Sequence, residues 1–190
     1  MENYIIALLG KSGCGKDTVL KEIEKLGYKR IVSCTTRPKR QGEVEGFDYY
    51  FLNEHDFMSK ANDFIEYRQY TTFDSNDQPD IWRYGIERKE VDLAKHKYVV
   101  VVDYKGFNDL KMFSNRVFGI YIDAPAEQRL ERAKQRDPNF SLKEWGRREE
   151  DDKQVFKNLS GINAIVYNED GYLEKTMDSI KSVLSAIELL

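Results

Sequence analysis

Apolar residues along this chain fall into short runs and spaced stripes, and the two alternate. Tyr4-Ile5-Ile6-Ala7-Leu8-Leu9 is a continuous apolar run that stops at Gly10. A run of that length predicts a strand covered on both faces, the kind found in parallel sheets. Residues 18–26 predict a helix, because Val19, Ile23 and Leu26 share a face and Gly27 supplies a C-terminal stop. Residues 28–33 predict a second short strand. Tyr98-Val99-Val100-Val101-Val102-Asp103 holds four β-branched residues in succession and predicts a strand in a central position. Residues 117–122 predict another strand, a helix follows over about 126–136, and residues 164–167 form a last strand. Leu173, Met177, Ile180, Leu184 and Ile187 recur at alternating steps of four and three. That spacing fits a coiled-coil seam or a helix packed on a sheet, and the shortness of the stretch favours the sheet.

Buried strands alternating with amphipathic helices predict an α/β fold of three layers around a mostly parallel sheet. Two stretches break the alternation. Residues from about 34 to 97 are rich in aromatics and turns, and residues from about 137 to 148 are polar and interrupted by Pro138. Insertions at the strand ends of such a sheet commonly build ligand sites.

Composition narrows the partners. The chain has 190 residues, 30 of them Lys or Arg and 33 Asp or Glu, for a net charge of −3. That balance argues against a nucleic-acid polymer held by bulk positive charge, and it leaves room for a local cationic pocket. Hydrophobic residues at 41% supply a core for one domain. Cys14 and Cys34 cannot make a disulfide framework and lack zinc-site spacing. No apolar run is long enough for a bilayer span, and no basic region followed by a long apolar stretch marks a signal peptide. A reduced, soluble, cytoplasmic protein without a membrane partner is expected; the oligomeric state is not legible.

The first chemical motif is Gly10-Lys11-Ser12-Gly13-Cys14-Gly15-Lys16-Asp17-Thr18, set between a predicted strand and a predicted helix. In that context glycines let backbone N–H groups curl around a phosphate, the helix N-terminus adds positive potential, and Lys16 reaches the outer phosphates. The usual hydroxyl after the lysine is replaced by Asp17, with a hydroxyl one place later at Thr18. Either residue offers a hard oxygen to Mg²⁺. Cys14 reads as a small residue at a variable position rather than a reactive thiol.

The second motif runs from Ser33 to Phe51 and gathers hydroxyls, Arg37, Arg40 and aromatic residues that include Tyr49, Tyr50 and Phe51. Hydroxyls and guanidinium forks suit a second phosphate group. The pattern Ser33-Cys34-Thr35-Thr36-Arg37, then Arg40, then Gly42-Glu43-Val44-Glu45-Gly46-Phe47-Asp48-Tyr49, resembles the signature of the guanylate kinase family. The resemblance extends over nearly the whole chain. It takes in the phosphate loop, Phe64-Ile65-Glu66, Tyr84-Gly85, the Val102-Asp103 strand end with Gly106, and an arginine-rich lid. It implies a P-loop kinase fold with a core at about 1–33, 98–125 and 159–190, a monophosphate-binding lobe at about 34–97, and a lid at about 126–158. It implies ATP as phosphoryl donor, Mg²⁺ as cofactor and small nucleotides as partners.

The same resemblance assigns roles. The loop from Gly10 through Ser12, Gly13, Cys14, Gly15, Lys16, Asp17 and Thr18 would bind ATP. Ser33, Arg37, Arg40, Tyr49 and Tyr84 would grip the monophosphate, with Glu43 orienting the arginines or the base side. Glu66 and Asp103 would accept the N1–H and N2–H donors of guanine. The serine that such a site uses for guanine O6 is replaced by Ile86, and a second aspartate by Val101. A site without the matching hydrogen bond cannot strongly demand that group, so Arg83 or Arg68 stands as the alternative donor. Residues 71–81 carry a polar stretch around Asp74 to Asp80 that is longer than the family usually has, either a cap over the base pocket or a plain surface insertion.

In the lid, Arg129, Arg132 and Arg136 share a helical face, and Ser141-Leu142-Lys143-Glu144 reads as a capping box that starts a second helix. The resemblance brings Arg132, Arg136 and one of Arg147 or Arg148 over the triphosphate; Arg129 reads as a solvated charge on a basic face. The implied reaction is ATP plus GMP (and dGMP) giving ADP plus the diphosphate, by positioning and charge neutralisation. Two other readings remain: a deoxynucleoside monophosphate kinase with a different base preference, and a non-catalytic binding module, whose usual mark is a degraded phosphate loop.

Overall fold

The computed structural model describes residues 2–73, 78–137 and 140–189. Its centre is β1 (Ile5–Leu9), every residue of which is fully buried. Alternate residues of β1 feed two separate cores. Ile6 and Leu8 join one apolar cluster, and Ile5, Ala7 and Leu9 join the other. A period of two with both faces apolar is what a sheet sandwiched between helices requires.

The sheet that follows from this has five strands in the order β2 (Lys29–Arg30), β7 (Tyr98–Val101), β1, β8 (Val117–Asp123), β9 (Ala164–Tyr167). All of its pairings are parallel. On one face lie Val19 and Ile23 of α1 (Lys16–Lys25) and Met177, Ile180, Leu184 and Ile187 of α6 (Leu173–Glu188). The C-terminal apolar stripe is therefore spent on the sheet. On the other face lie Phe107 and Leu110 of α3 (Tyr104–Phe113). Covering both faces buries strands whose side chains are each worth about 1.5–3 kcal/mol.

One expectation needs correction, and two others become specific. The strand expected over 28–33 is ordered as sheet only at Lys29–Arg30, because the chain turns away there toward a second sheet. The valine-rich strand β7 is flanked by strands on both sides, but β1 occupies the middle of the sheet. At the two ends of the polar stretch 71–81, Thr71, Thr72 and Phe73 pair with Ile81, Asp80 and Pro79 as an antiparallel ladder. Residues 74–77 and the Pro138 break lie outside the described residues.

The second sheet is mixed and has four strands, in the order β4 (Tyr50–Phe51), β3 (Cys34–Thr35), β6 (Pro79–Glu87), β5 (Phe64–Phe73). The antiparallel β5–β6 hairpin dominates it. Two helices, α4 (Ala126–Arg136) and α5 (Leu142–Val155), follow β8. Ser141 caps α5 by accepting from the Glu144 backbone N–H at 3.2 Å, as its spacing predicts. The hairpin end meets α5. The Phe73 backbone N–H donates to Glu144 Oε2 at 3.3 Å, and the Lys143 ammonium lies 3.9 Å from the centre of the Phe73 ring. Among the described residues no helix is long and apolar enough to cross a membrane, and both cysteines are buried free thiols.

Candidate active site

The phosphate loop sits where β1 ends and α1 begins. Gly15 caps the helix with φ +93°, a conformation that disfavours any side chain, and a Cβ there would lie 2.2 Å from Asn168 Nδ2. Asn168 in turn donates to the Cys14 carbonyl at 2.8 Å and holds the loop from behind. No side chain among the described residues caps the first turn of α1. Its N–H groups and the positive end of its dipole are thus left for an anion. Lys16 folds its ammonium back onto the carbonyls of Gly10 (2.7 Å) and Lys11 (3.0 Å), at the mouth of the loop. Asp17 and Thr18 are exposed beside it. Asp17 has one distant cation, Arg136, at 3.6 Å.

Two lid residues hold this loop in ways the sequence did not announce. Arg129 is buried, not solvated: it donates to the Ser12 carbonyl at 3.1 Å and forms a two-pronged pair with Glu149. Asp152 accepts from the Ser12 backbone N–H at 2.7 Å. Glu149 and Asp152 thus serve the loop through these contacts. The only sequence signal was periodicity, since 129 lies one helical turn from 132, and that cannot distinguish a buried face from a wet one.

Facing the loop, the lobe presents its cations. Arg37 is 3% exposed and donates to Glu43 Oε1 at 2.6 Å, while Glu43 Oε2 accepts from the Arg40 backbone N–H at 2.7 Å. One carboxylate thus fixes both arginines. The Arg37 guanidinium stacks 5.3 Å from the centre of the Tyr49 ring, and Tyr49 packs edge-on to Tyr84 at 5.9 Å. Ser33 immediately precedes β3 and is largely buried. Arg40 has Asp137 at 3.4 Å. Burial, together with the charges of Arg37, Arg136 and Arg148, pushes the Arg40 guanidinium down to about 10. Cations that repel one another around a shared space suit an anion between them.

That space is a cavity of about 320 Å³ between lobe and lid, with Arg37, Arg40, Arg136, Arg148, Trp82 and Trp145 in its wall. Arg148 faces it and lies 5.9 Å from the centre of the Trp82 ring. Arg147 points elsewhere, to Glu144 (2.7 and 2.8 Å) and to Asp151. Glu144 also accepts from Arg148 Nε at 2.6 Å. Burial opposes the charge of Glu144, yet the hydrogen bonds from both arginines hold its carboxyl down to about 2. Arg132 docks on Asp170 (2.8 and 2.9 Å), on the Asn168 carbonyl at 2.9 Å and near the Gly13 carbonyl at 3.4 Å.

Deeper in the lobe, Glu66, Arg68, Tyr70 and Thr72 share the inward face of β5. Asp103 caps α3 through the Gly106 N–H at 2.7 Å and also accepts from Arg68 Nε at 2.6 Å and Tyr70 Oη at 2.5 Å. Burial pushes the Glu66 carboxyl up to about 7, against the attraction of Arg68. Ile86 is fully enclosed in the core with Phe107 and Leu110 and offers the cleft no surface. Of the residues expected to touch the monophosphate, it is the one that the fold withdraws.

A phosphate loop opposite a separate lobe lined with arginines and tyrosines, with an arginine-bearing lid between, defines a phosphotransferase that handles two nucleotides. The guanylate kinase family model matches residues 2–187. The chain is 31% identical to a guanylate kinase of Anaplasma phagocytophilum, over 97% of this chain and 87% of that protein. It is 30% identical to a guanylate kinase of Rickettsia prowazekii, over 97% and 92%. A crystal structure of guanylate kinase from Anaplasma phagocytophilum superimposes with a TM-score of 0.63 at 25% identity, covering 97% of this chain and 86% of that one. The chain belongs to the guanylate kinase family, a family of nucleoside monophosphate kinases.

Proposed function

We propose that the protein transfers the γ-phosphoryl group of ATP to GMP and dGMP, giving ADP and the nucleoside diphosphate. The observation that supports this most is the convergence of Arg37 and Arg40 from the lobe with Arg136 and Arg148 from the lid on one cavity. Four guanidinium groups and Lys39, set against Asp80, Asp137 and Glu144, leave the wall net cationic, which suits two phosphate chains brought end to end.

In this reading residues 34–97 form the monophosphate lobe, residues 126–158 the lid, and the rest the core. Ser33, Arg37, Arg40, Tyr49 and Tyr84 hold the acceptor phosphate, with Glu43 as the brace for both arginines. Glu66 accepts an N–H group of guanine, and Asp103, expected to accept another, already carries three protein donors. The N–H groups of the phosphate loop hold the donor phosphates. Lys16, Arg132, Arg136 and Arg148 neutralise charge spread over the moving phosphoryl group. Arg147 serves indirectly, by holding Glu144 against Arg148. Closure of the lid excludes the water that would otherwise hydrolyse ATP.

Mg²⁺, when bound, neutralises phosphate oxygens. The residues present fit it: Asp17 is an exposed carboxylate with one weak partner, next to a hydroxyl at Thr18, and both are hard oxygen donors. One observation favours a second reading, a kinase with a different base preference. Ile86 has no hydroxyl for O6, and Asp103 already accepts three protein donors. Steady-state turnover of a monophosphate panel with ATP separates the two.

A further inference from the structure

The inward face of β5 holds polar atoms that the fold leaves unmatched. Among the described residues, four buried side-chain atoms lack a hydrogen-bond partner, and three of them lie on this face: Glu66 Oε2, Arg68 Nη2 and Thr72 Oγ1. Glu66 and Arg68 are 6% and 7% exposed. Glu66 Oε2 and Arg68 Nη2 lie 3.0 Å apart, an ion pair without an aligned hydrogen bond. A buried donor and a buried acceptor, side by side and each with capacity unused, are costly unless a ligand completes them.

The remainder of Arg68 is fixed. Nε donates to Asp103, and Nη1 donates to Asp109 at 3.2 Å and to the Tyr67 carbonyl. Nη2 passes over Gly106, where a Cβ would come within 2.4 Å of it. The glycine admits the guanidinium, and the two aspartates hold its plane. The one nitrogen without a hydrogen bond is Nη2.

We propose that Arg68 is the specificity-determining residue for the base, donating from Nη2 to the O6 atom of a 6-oxopurine while Glu66 accepts the adjacent N1–H. The assignment rests on the guanylate kinase reading and goes beyond it, because it supplies the O6 donor that Ile86 cannot. Guanine presents an acceptor and a donor side by side on that edge, the complement of the Arg68–Glu66 pair. Asp103 has a different part, since its oxygens already carry three protein donors; it positions Arg68.

The test compares GMP, IMP and 2,6-diaminopurine riboside 5′-monophosphate as acceptors, in wild type and in Arg68→Met. IMP shares the O6/N1–H edge of guanine, and the diamino analogue replaces it with an amine and a bare nitrogen. Wild type should prefer GMP to the analogue by about 100-fold or more in kcat/KM. Arg68→Met should lower kcat/KM for GMP and IMP together and narrow the ratio of GMP to the analogue at least about tenfold. Arg68→Lys keeps a cation for Asp103 and Asp109 but loses the fork. It should show the same narrowing with a Tm close to wild type, which guards against a folding defect in the methionine variant. A ratio unchanged in an active Arg68→Lys, or a GMP rate that rises on removing Arg68, would overturn the role of Arg68 alone. Wild type that turned over none of the three would overturn the functional reading and this proposal with it.

Discussion

Arg40 offers the sharpest separation between stability and activity. Its partly buried guanidinium lies beside Arg37, Arg136 and Arg148, and burial first, then these charges, push it down to about 10. A group whose folded-state value is depressed is disfavoured as a cation in the folded protein, so at neutral pH its charge costs the empty fold about 3 kcal/mol. Arg40→Met removes the charge and keeps most of the stem. It also removes the 3.4 Å pair with Asp137, worth at most about 1 kcal/mol, and some packing. The net expectation in anion-free buffer is a gain of about 1–2 kcal/mol, or about 3–6 °C in Tm for a chain of this length. Activity should move the other way. Loss of a charge-assisted hydrogen bond to phosphate, about 1.5–3 kcal/mol, lowers kcat/KM for GMP about 10- to 150-fold. Thermal unfolding in buffers with and without phosphate, alongside a coupled ADP assay, reads both. Phosphate should stabilise wild type more than the variant. A variant that is less stable than wild type without anions, and equally active, would refute the cationic-cavity reasoning.

Two further outcomes follow from the geometry. Lys16→Ala should leave the fold intact, because the ammonium bonds only loop carbonyls and a sulfur among the described residues, and should lower kcat by about 10³-fold or more; near-normal turnover would contradict its assignment. Glu66 carries the pH dependence: its folded value of about 7 exceeds its ordinary 4.5 under the combined influence of burial, Asp103 and Asp109, against Arg68 and Lys105. A raised value contributes stability that is complete below pH 4.5 and lost as pH climbs through about 7, up to about 3 kcal/mol. Glu66→Gln should therefore come close to wild type in urea unfolding at pH 4 and exceed it at pH 8, and the reverse order would contradict the burial argument.

What the sequence made legible was whatever has a local physical signature. The run ending at Gly10 and the glycine spacing up to Lys16 placed β1, the loop and α1 almost to the residue, because strand, turn and helix each demand particular local chemistry. Ser141 and Glu144 announced the start of α5 in the same way. The β5–β6 hairpin was not legible, because its inward face is polar: Glu66, Arg68, Tyr70 and Thr72 give an alternation of polar with polar. Helix α3 was missed too, since Asp103 read as a strand end with a binding role before it read as a cap. In the site, arginines could be counted but not aimed. Arg147 and Arg148 are neighbours in the chain, and only tertiary packing against Glu144, Asp151 and Trp82 turns one to the cavity and the other away. The burial of Arg129 depends on Glu149, a full lid helix away.

The central claim is that the lobe selects a guanine nucleotide as phosphoryl acceptor, and acceptor choice measures it directly. With ATP fixed and Mg²⁺ supplied, initial rates over GMP, dGMP, AMP, UMP and dTMP should show GMP and dGMP as the efficient acceptors, each at least about 100-fold ahead of the others in kcat/KM. GMP and dGMP both being poor beside any other monophosphate would contradict it.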